Sequence, residues 1–167
     1  MARAFPDGSE LRLNHYPAIS VRELTTENTR RIWPHTDLGM LSLLIQDNQG
    51  GLEFEDRSKP GCFVPVQNES KTDLIVNVSD MMQRWTNGVL RAGLHRVVPP
   101  QQKGADRSNP ERDCILPRRF SVVFLFRPGE ESSAGPMQNF VNESRPATCD
   151  EISALGYLER MNELVYG

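Results

Sequence analysis

The sequence predicts a mainly β fold, a sandwich or jelly roll followed by one C-terminal α-helix, and three observations carry that expectation. Short apolar runs broken by turn residues fill residues 10 to 127: LRLNHYP, LSLLIQD, GLEFED, FVPV, DLIVNVS, HRVV and RRFSVVFLF. Runs of this length between turn residues read as strands. Turn signals separate them, Asn48-Gln49-Gly50-Gly51 and Asn87-Gly88, the second of a type favoured in two-residue hairpins. The pattern then changes near the end of the chain, where Ile152, Leu155, Leu158, Met161 and Val165 recur with helical spacing.

At 167 residues the length prior gives one domain, residues 1–167, with a β core over about 10–128 and a helix over about 149–165. In LRLNHYP, the period of two puts Asn14 and Tyr16 on one face and His15 on the other. In LSLLIQD, Leu41, Leu43 and Ile45 share one face, with Ser42 and Leu44 on the opposite one. SDMMQRWTNG reads as one short helical turn begun by Ser79 or Asp80. Residues 101–117, charged and carrying Gly and two prolines, read as a loop. In RRFSVVFLF, Arg119, Ser121, Val123 and Leu125 take one face and Phe120, Val122, Phe124 and Phe126 the other, with Arg118 at the surface. Both faces are apolar beyond the first residues, which predicts burial on both sides. Thr148 and Glu151 form a capping-box pattern in front of the final helix.

With 38% hydrophobic residues, 25% charged residues and a formal charge of -3, the composition is that of a globular protein that can bury roughly 70% of its unfolded surface. No basic stretch asks for nucleic acid, and no run of about 18 apolar residues is present to span a bilayer. Cys62, Cys114 and Cys149 are far apart and lack CxxC spacing, so neither a disulfide framework nor a structural zinc site is indicated. A reducing, cytoplasmic setting is expected.

The chain has three histidines, His15, His35 and His95. On a strand, His35 and Asp37 at i and i+2 would aim an imidazole and a carboxylate at one point. His95, in GLHRVVPP, is the best-placed third ligand by local context. Two histidines and a carboxylate can occupy one face of an octahedron and leave three positions open, the arrangement known for non-haem Fe(II) that also takes up a cosubstrate and O2. Spacing alone leaves a second reading open, in which His35 and Asp37 are capping or surface residues and His95 a hydrogen-bonded core residue.

HTDLGMLSLLIQDNQGGLEF, VNVSDMMQRWTNG, LHRVV and RRFSVVFLF stand in the order and at the separations found in Fe(II)- and 2-oxoglutarate-dependent dioxygenases. The chain resembles those of the isopenicillin N synthase type from about Leu11 to Pro128. The resemblance implies a double-stranded β-helix, a distorted jelly roll, with His35, Asp37 and His95 as iron ligands. Its cofactors would be Fe(II), 2-oxoglutarate as cosubstrate, and O2.

An arginine on a strand buried on both faces needs an anion. A guanidinium can grip a carboxylate with two parallel hydrogen bonds, and Ser121 can add a hydroxyl; an ordinary Arg–Asp or Arg–Glu pair would answer the charge equally well. By resemblance, Arg119-Phe120-Ser121 matches the family's Arg-x-Ser, and the anion is the distal carboxylate of 2-oxoglutarate. Asn14 and Tyr16 match its Asn-x-Tyr-Pro and help hold the cosubstrate. Trp85, Asn87 and Gly88 read as packing and turn chemistry. Arg96 reads as a partner for a nearby carboxylate or carbonyl, and Trp33 as core packing or, less directly, a substrate contact.

The resemblance thus implies an oxygenase that hydroxylates, desaturates or cyclises a small organic substrate, a secondary metabolite among the candidates, with 2-oxoglutarate decarboxylated to succinate and CO2. Two alternatives remain: an isopenicillin N synthase-like oxidase without 2-oxoglutarate, and a non-catalytic truncated binding module. Family members carry a substantial region before the first core strand, whereas about ten residues precede Leu11 here. The outward residues of the Phe120–Phe126 strand are therefore expected to need cover from self-association, a partner chain or the C-terminal helix.

Overall fold

A computed structural model of the chain describes residues 2–4, 8–26, 31–70, 72–99 and 115–166. The strands are β1 (Ala2–Ala4), β2 (Glu10–Tyr16), β3 (Ile19–Ser20), β4 (Ile32–His35), β5 (Leu41–Gln46), β6 (Leu52–Glu55), β7 (Phe63–Pro65), β8 (Ile75–Val78), β9 (His95–Val97), β10 (Ile115–Leu116) and β11 (Arg119–Phe126). The helices are α1 (Val21–Thr26), α2 (Asp80–Trp85) and α3 (Ala154–Tyr166), with a 3-10 turn at Gln138–Phe140.

Two antiparallel sheets form the jelly roll. The larger runs β1-β2-β11-β5-β8 and the smaller β4-β9-β6-β7, with β10 and β3 as a separate ribbon. Register in the larger sheet aligns Arg119 with Tyr16 and Ser121 with both Asn14 and Gln46. Because side chains alternate, this register sends Asn14, Tyr16, Ser42, Leu44, Arg119 and Ser121 inward together. They meet His35, Leu52, Phe54 and His95 from the smaller sheet around one cavity of about 120 Å³.

The outer face of the large sheet departs from the expected two-sided burial. Val122 is flanked in register by Leu13 and Ile45, and all three, with Phe120 and Phe126, are exposed. Helix α3 packs elsewhere: Ala154 and Tyr157 join Met81 of α2 and Ala134 in a second core, with Leu38, Met40, Trp85, Ile152 and Met161 packed against it. The apolar pattern of β11 thus reported one face toward the site and one toward solvent, and two-sided apolar character alone does not distinguish these cases.

Local signals also resolve differently from expectation. The Asn87-Gly88 pair, with φ of 48° and 79°, ends α2 rather than joining two strands: Gly88 N–H donates to the Gln83 carbonyl at 2.9 Å. Asn87 then ties down the following segment, donating to the carbonyls of Phe140 and Pro146 and accepting from Thr148. Thr148 is therefore engaged away from any cap. The cap of α3 is Ser153, whose hydroxyl accepts the Gly156 N–H at 3.1 Å, while Glu151 accepts from the Ser133 hydroxyl. Helix α1 follows a reciprocal capping box, Glu23 N–H to the Ser20 hydroxyl and Ser20 N–H to the Glu23 carboxylate, both 3.0 Å. The expected loop at 101–117 lies outside the described residues up to 114, and Cys114 with it; Cys62 and Cys149 are free thiols.

Candidate active site

β4 ends at His35, and Asp37 lies past the end of the strand. Asp37 thus reaches the point His35 faces from the first residues beyond the strand. His95 opens β9 and is the direct register partner of His35, beyond a register shift between Ile32 and His35. Asp37 Oδ1 sits 3.6 Å from His35 Nε2 and 3.9 Å from His95 Nε2. One ligand atom from each residue lies within 4.8 Å of the others.

The remaining polar atoms of these residues are engaged. His35 Nδ1–H donates to the Trp33 carbonyl at 2.8 Å and His95 Nδ1–H to the Gly93 carbonyl at 3.0 Å, which leaves both Nε2 lone pairs for a third party. On Asp37, Oδ2 accepts the Ser42 hydroxyl and, at 3.2 Å, the Asn77 amide, leaving Oδ1 turned to the histidines. Ser42 accepts in turn from Ser79 at 3.0 Å. Phe54 stacks on His95 with ring centroids 5.2 Å apart. This donor set, two neutral nitrogens and one carboxylate oxygen with its supporting shell complete, fits a divalent transition metal with open positions.

The electrostatics agree. Burial alone would raise the Asp37 carboxyl, but hydrogen bonding to His35, the charge of His95 and the Ser42 hydroxyl outweigh it and hold it at about 2. Burial pushes His35 down, yet the Asp37 and Trp33 contacts leave it above the ordinary histidine value. Burial dominates at His95 and keeps it below that value.

At the other end of the cavity Arg119 is 1% exposed. It donates to the Gly50 carbonyl at 3.0 Å, the Gln46 side-chain carbonyl at 2.6 Å and the Ser121 hydroxyl at 3.4 Å, and no carboxylate is among these partners. Its guanidinium stands 5.0 Å from the centre of the Tyr16 ring. On the same ring Arg31 sits 5.7 Å away; its Nε is buried without a hydrogen-bond partner. Asn14 donates to Ser121 at 3.4 Å. Asp47 acts on this cation through its charge and Tyr16 bonds to it, but its described hydrogen-bond partners are all neutral; a ligand carboxylate entering the cavity would complete its neutralisation, and an unpaired buried charge costs on the order of 3–5 kcal/mol.

All seven residues singled out from the sequence line this cavity: His35, Asp37 and His95 at one end, Arg119, Ser121, Tyr16 and Asn14 toward the other. Asn77, Gln46 and Arg12 belong to the site as well and were not singled out, whereas Ser42 stands on the strand face that the sequence set beside the proposed metal, without a role assigned to it. Arg12 was open to the same alternation argument as Asn14 and Tyr16. Trp33 is 51% exposed, so it is not a core residue. Arg96 pairs with Glu53 at 2.8 Å and covers the Phe63 ring.

Residues 8–128 match the family model of the 2OG-Fe(II) oxygenase superfamily. The chain is 46% identical over 162 residues to the 2-oxoglutarate-dependent dioxygenase imqE of Aspergillus flavus, covering 96% of this chain and 43% of that protein. It is 44% identical over 161 residues to the 2-oxoglutarate-dependent dioxygenase ecdK of Aspergillus rugulosus, covering 95% and 46%. It thus spans less than half the length of these curated relatives. A full-length Neurospora crassa protein solved with alpha-KG and thymine superposes with a TM-score of 0.78 at 28% identity, over 96% of this chain and 45% of that one. A 2OG-Fe(II) oxygenase family protein of Caulobacter crescentus gives 0.72 at 29% identity, over 95% and 46%. No helix among the described residues is long and apolar enough to cross a membrane.

Proposed function

The chain belongs to the 2OG-Fe(II) oxygenase superfamily, and on that premise we propose that it is the catalytic core of an oxygenase acting on a small organic molecule, of the kind made in secondary metabolism. His35 Nε2, Asp37 Oδ1 and His95 Nε2 hold Fe(II). Arg119 and Ser121 take the distal carboxylate of 2-oxoglutarate, with Tyr16 and Asn14 shaping that end of the cleft. Fe(II), 2-oxoglutarate and O2 supply the oxidation, yielding succinate and CO2 beside the hydroxylated, desaturated or cyclised product. The chain's own contribution is to fix both imidazole tautomers, keep Asp37 ionised and anchor the dicarboxylate.

The observation that carries this reading is Arg119, buried with no carboxylate among its hydrogen-bond partners in the described residues and lying in the same cavity as the converged His35, Asp37 and His95. Succinate formed from 2-oxoglutarate by the purified protein under Fe(II) and O2 tests it, because uncoupled turnover needs no substrate. Formation of succinate by the His95→Ala protein would sink the ligand assignment. An oxidase that uses Arg119 and Ser121 for a substrate carboxylate is the second reading; it predicts no metal-to-ligand absorbance band on anaerobic addition of 2-oxoglutarate. A cytoplasmic setting, with Cys62 and Cys149 reduced, goes with the proposal. So does cover for the exposed outer face by self-association or a partner chain, which sedimentation of the protein with and without Phe120→Ser tests.

A further inference from the structure

The geometry points to Asn68 as a positioning residue for the cosubstrate, which it governs without touching it, by fixing the side-chain amide of Gln46 against the Arg119 guanidinium. The inference rests on the proposed oxygenase function and adds to it a residue outside the cavity on which selection of a dicarboxylate depends.

Gln46 is the last residue of β5, the register partner of Ser121, and 4% exposed. An amide side chain can present either its oxygen or its nitrogen, and only the oxygen can accept from a guanidinium. Here Oε1 accepts from Arg119 Nη2 at 2.6 Å, and the other end of the amide is committed, since Nε2 donates to Asn68 Oδ1 at 3.0 Å. Asn68 is oriented in turn by its own Nδ2, which donates to the Gln46 main-chain carbonyl at 3.5 Å. A Gln46 amide turned over would set donor against donor at Arg119 and oxygen against oxygen at Asn68. The Gln46 bond is shorter than those Arg119 makes to Gly50 and Ser121, so loss of its orientation bears on the guanidinium first.

Asn68 belongs to the segment between β7 and β8, which carries its own anchor: Asp73 accepts the Glu69 and Ser70 N–H groups at 2.7 and 2.8 Å. Neither Gln46 nor Asn68 lines the main cavity; with Gly50, whose carbonyl also accepts from Arg119, they form part of the wall of a separate recess of about 240 Å³. Asp47, next to Gln46, acts on Arg119 through its charge, while its oxygens accept the Gln49 and Phe120 N–H groups at 3.1 and 2.6 Å. The direction of the guanidinium is thus set by neutral acceptors, and one of them is held from outside the cavity.

Anaerobic protein loaded with Fe(II) provides the test. Its metal-to-ligand absorbance band is titrated with 2-oxoglutarate and with 2-oxopentanoate, which carries a methyl group where 2-oxoglutarate has its distal carboxylate. Asn68→Leu removes the acceptor at nearly constant shape and should raise the dissociation constant for 2-oxoglutarate by about 3- to 10-fold, the usual worth of one neutral hydrogen bond. Binding of 2-oxopentanoate and of Co(II) should stay at wild-type values, a split that a general loosening of the fold would not produce. Asn68→Asp, which keeps an acceptor in place, should recover most of the loss, and Gln67→Leu, at the exposed neighbouring position, should cause none. Gln46→Glu sets a carboxylate against Arg119 and should abolish the preference for the dicarboxylate. Unchanged 2-oxoglutarate binding in Asn68→Leu, equal weakening of both keto acids, an Asn68→Asp protein as weak as Asn68→Leu, or a preference kept in Gln46→Glu would overturn the inference. If the wild-type protein gives no band with 2-oxoglutarate at all, the oxygenase reading itself fails and the inference with it, a result distinct from the others.

Discussion

His35 and His95 face each other as register partners across the β4–β9 ladder, and each ring is fixed by the carbonyl two residues earlier in the chain, Trp33 within β4 for one and Gly93 ahead of β9 for the other. Backbone carbonyls set both tautomers, so the two Nε2 atoms are presented to a metal before it arrives. The rings nonetheless differ in proton affinity, because His35 has Asp37 as a hydrogen-bond partner and His95 is governed by burial.

That difference sets the pH dependence of metal binding. A metal requires both imidazoles neutral. In the metal-free protein His35 holds its proton above the ordinary value of 6.5 and His95 releases its own below it. As pH falls through the His35 value, affinity should drop by about tenfold per pH unit, one proton competing. Once pH also passes the His95 value, the slope should approach two protons. Asp37, held at about 2, adds no slope in this range. Co(II) titrations from about pH 8 to about pH 5 read the slope directly; a flat profile would contradict these proton assignments.

Ser42 offers a mutation that spares every ligand atom. Its hydroxyl donates to Asp37 Oδ2 and is itself backed by Ser79, and both serines are fully buried. Ser42→Ala should weaken metal binding by about 10- to 100-fold, the usual cost of losing such a supporting bond. Circular dichroism should be unchanged. Wild-type affinity in this variant would reduce Ser42 to a packing residue.

These supporting residues mark the limit of what the sequence discloses. Period-two alternation put Arg119 with Ser121 and Asn14 with Tyr16 on shared faces, and the structure turns both of those faces toward the cavity. Ser42 and Asn77 meet because they are register partners on β5 and β8, and register is a long-range property that neither strand states locally. The Asp37 position shows the converse: the expected convergence with His35 occurs, although Asp37 lies just past the end of β4. Helix α1 had a legible signal in Ser20-x-x-Glu23, whereas the similar pattern at Thr148 and Glu151 was misleading because Asn87 and Ser133 claim those side chains.

Arg119 should separate cosubstrate binding from metal binding. Arg119→Lys keeps a charge but loses the planar fork that meets Gln46, Gly50 and Ser121 together. Losing one charge-assisted bond costs about 1.5–3 kcal/mol, so KM for 2-oxoglutarate should rise by about 10- to 150-fold. The metal ligands lie at the other end of the cavity, and Co(II) affinity should stay at the wild-type value. A loss of metal affinity equal to the rise in KM would show that Arg119 supports the fold of the whole site.

Gly93 makes the sharpest steric prediction. A methyl group built at this position would overlap Asn77 Oδ1 and come within 2.8 Å of the Phe54 ring. The backbone has little room to retreat, since Gly93 N–H donates to the Val78 carbonyl at 2.9 Å and its own carbonyl holds His95. Asn77 and Phe54 must therefore move, and these are the residues that bind Asp37 and stack on His95. Gly93→Ala should cost about 1–3 kcal/mol of stability, as overpacking generally does, and should weaken Co(II) binding as well. Adding Asn77→Ser removes the overlapping oxygen and should recover much of the stability, while metal affinity stays low because the Asp37 contact is gone. Thermal melts and Co(II) titrations of the single and double variants distinguish these outcomes. A Gly93→Ala protein with wild-type Tm and wild-type affinity would show that the β8–Gly93 contact yields before the metal shell does.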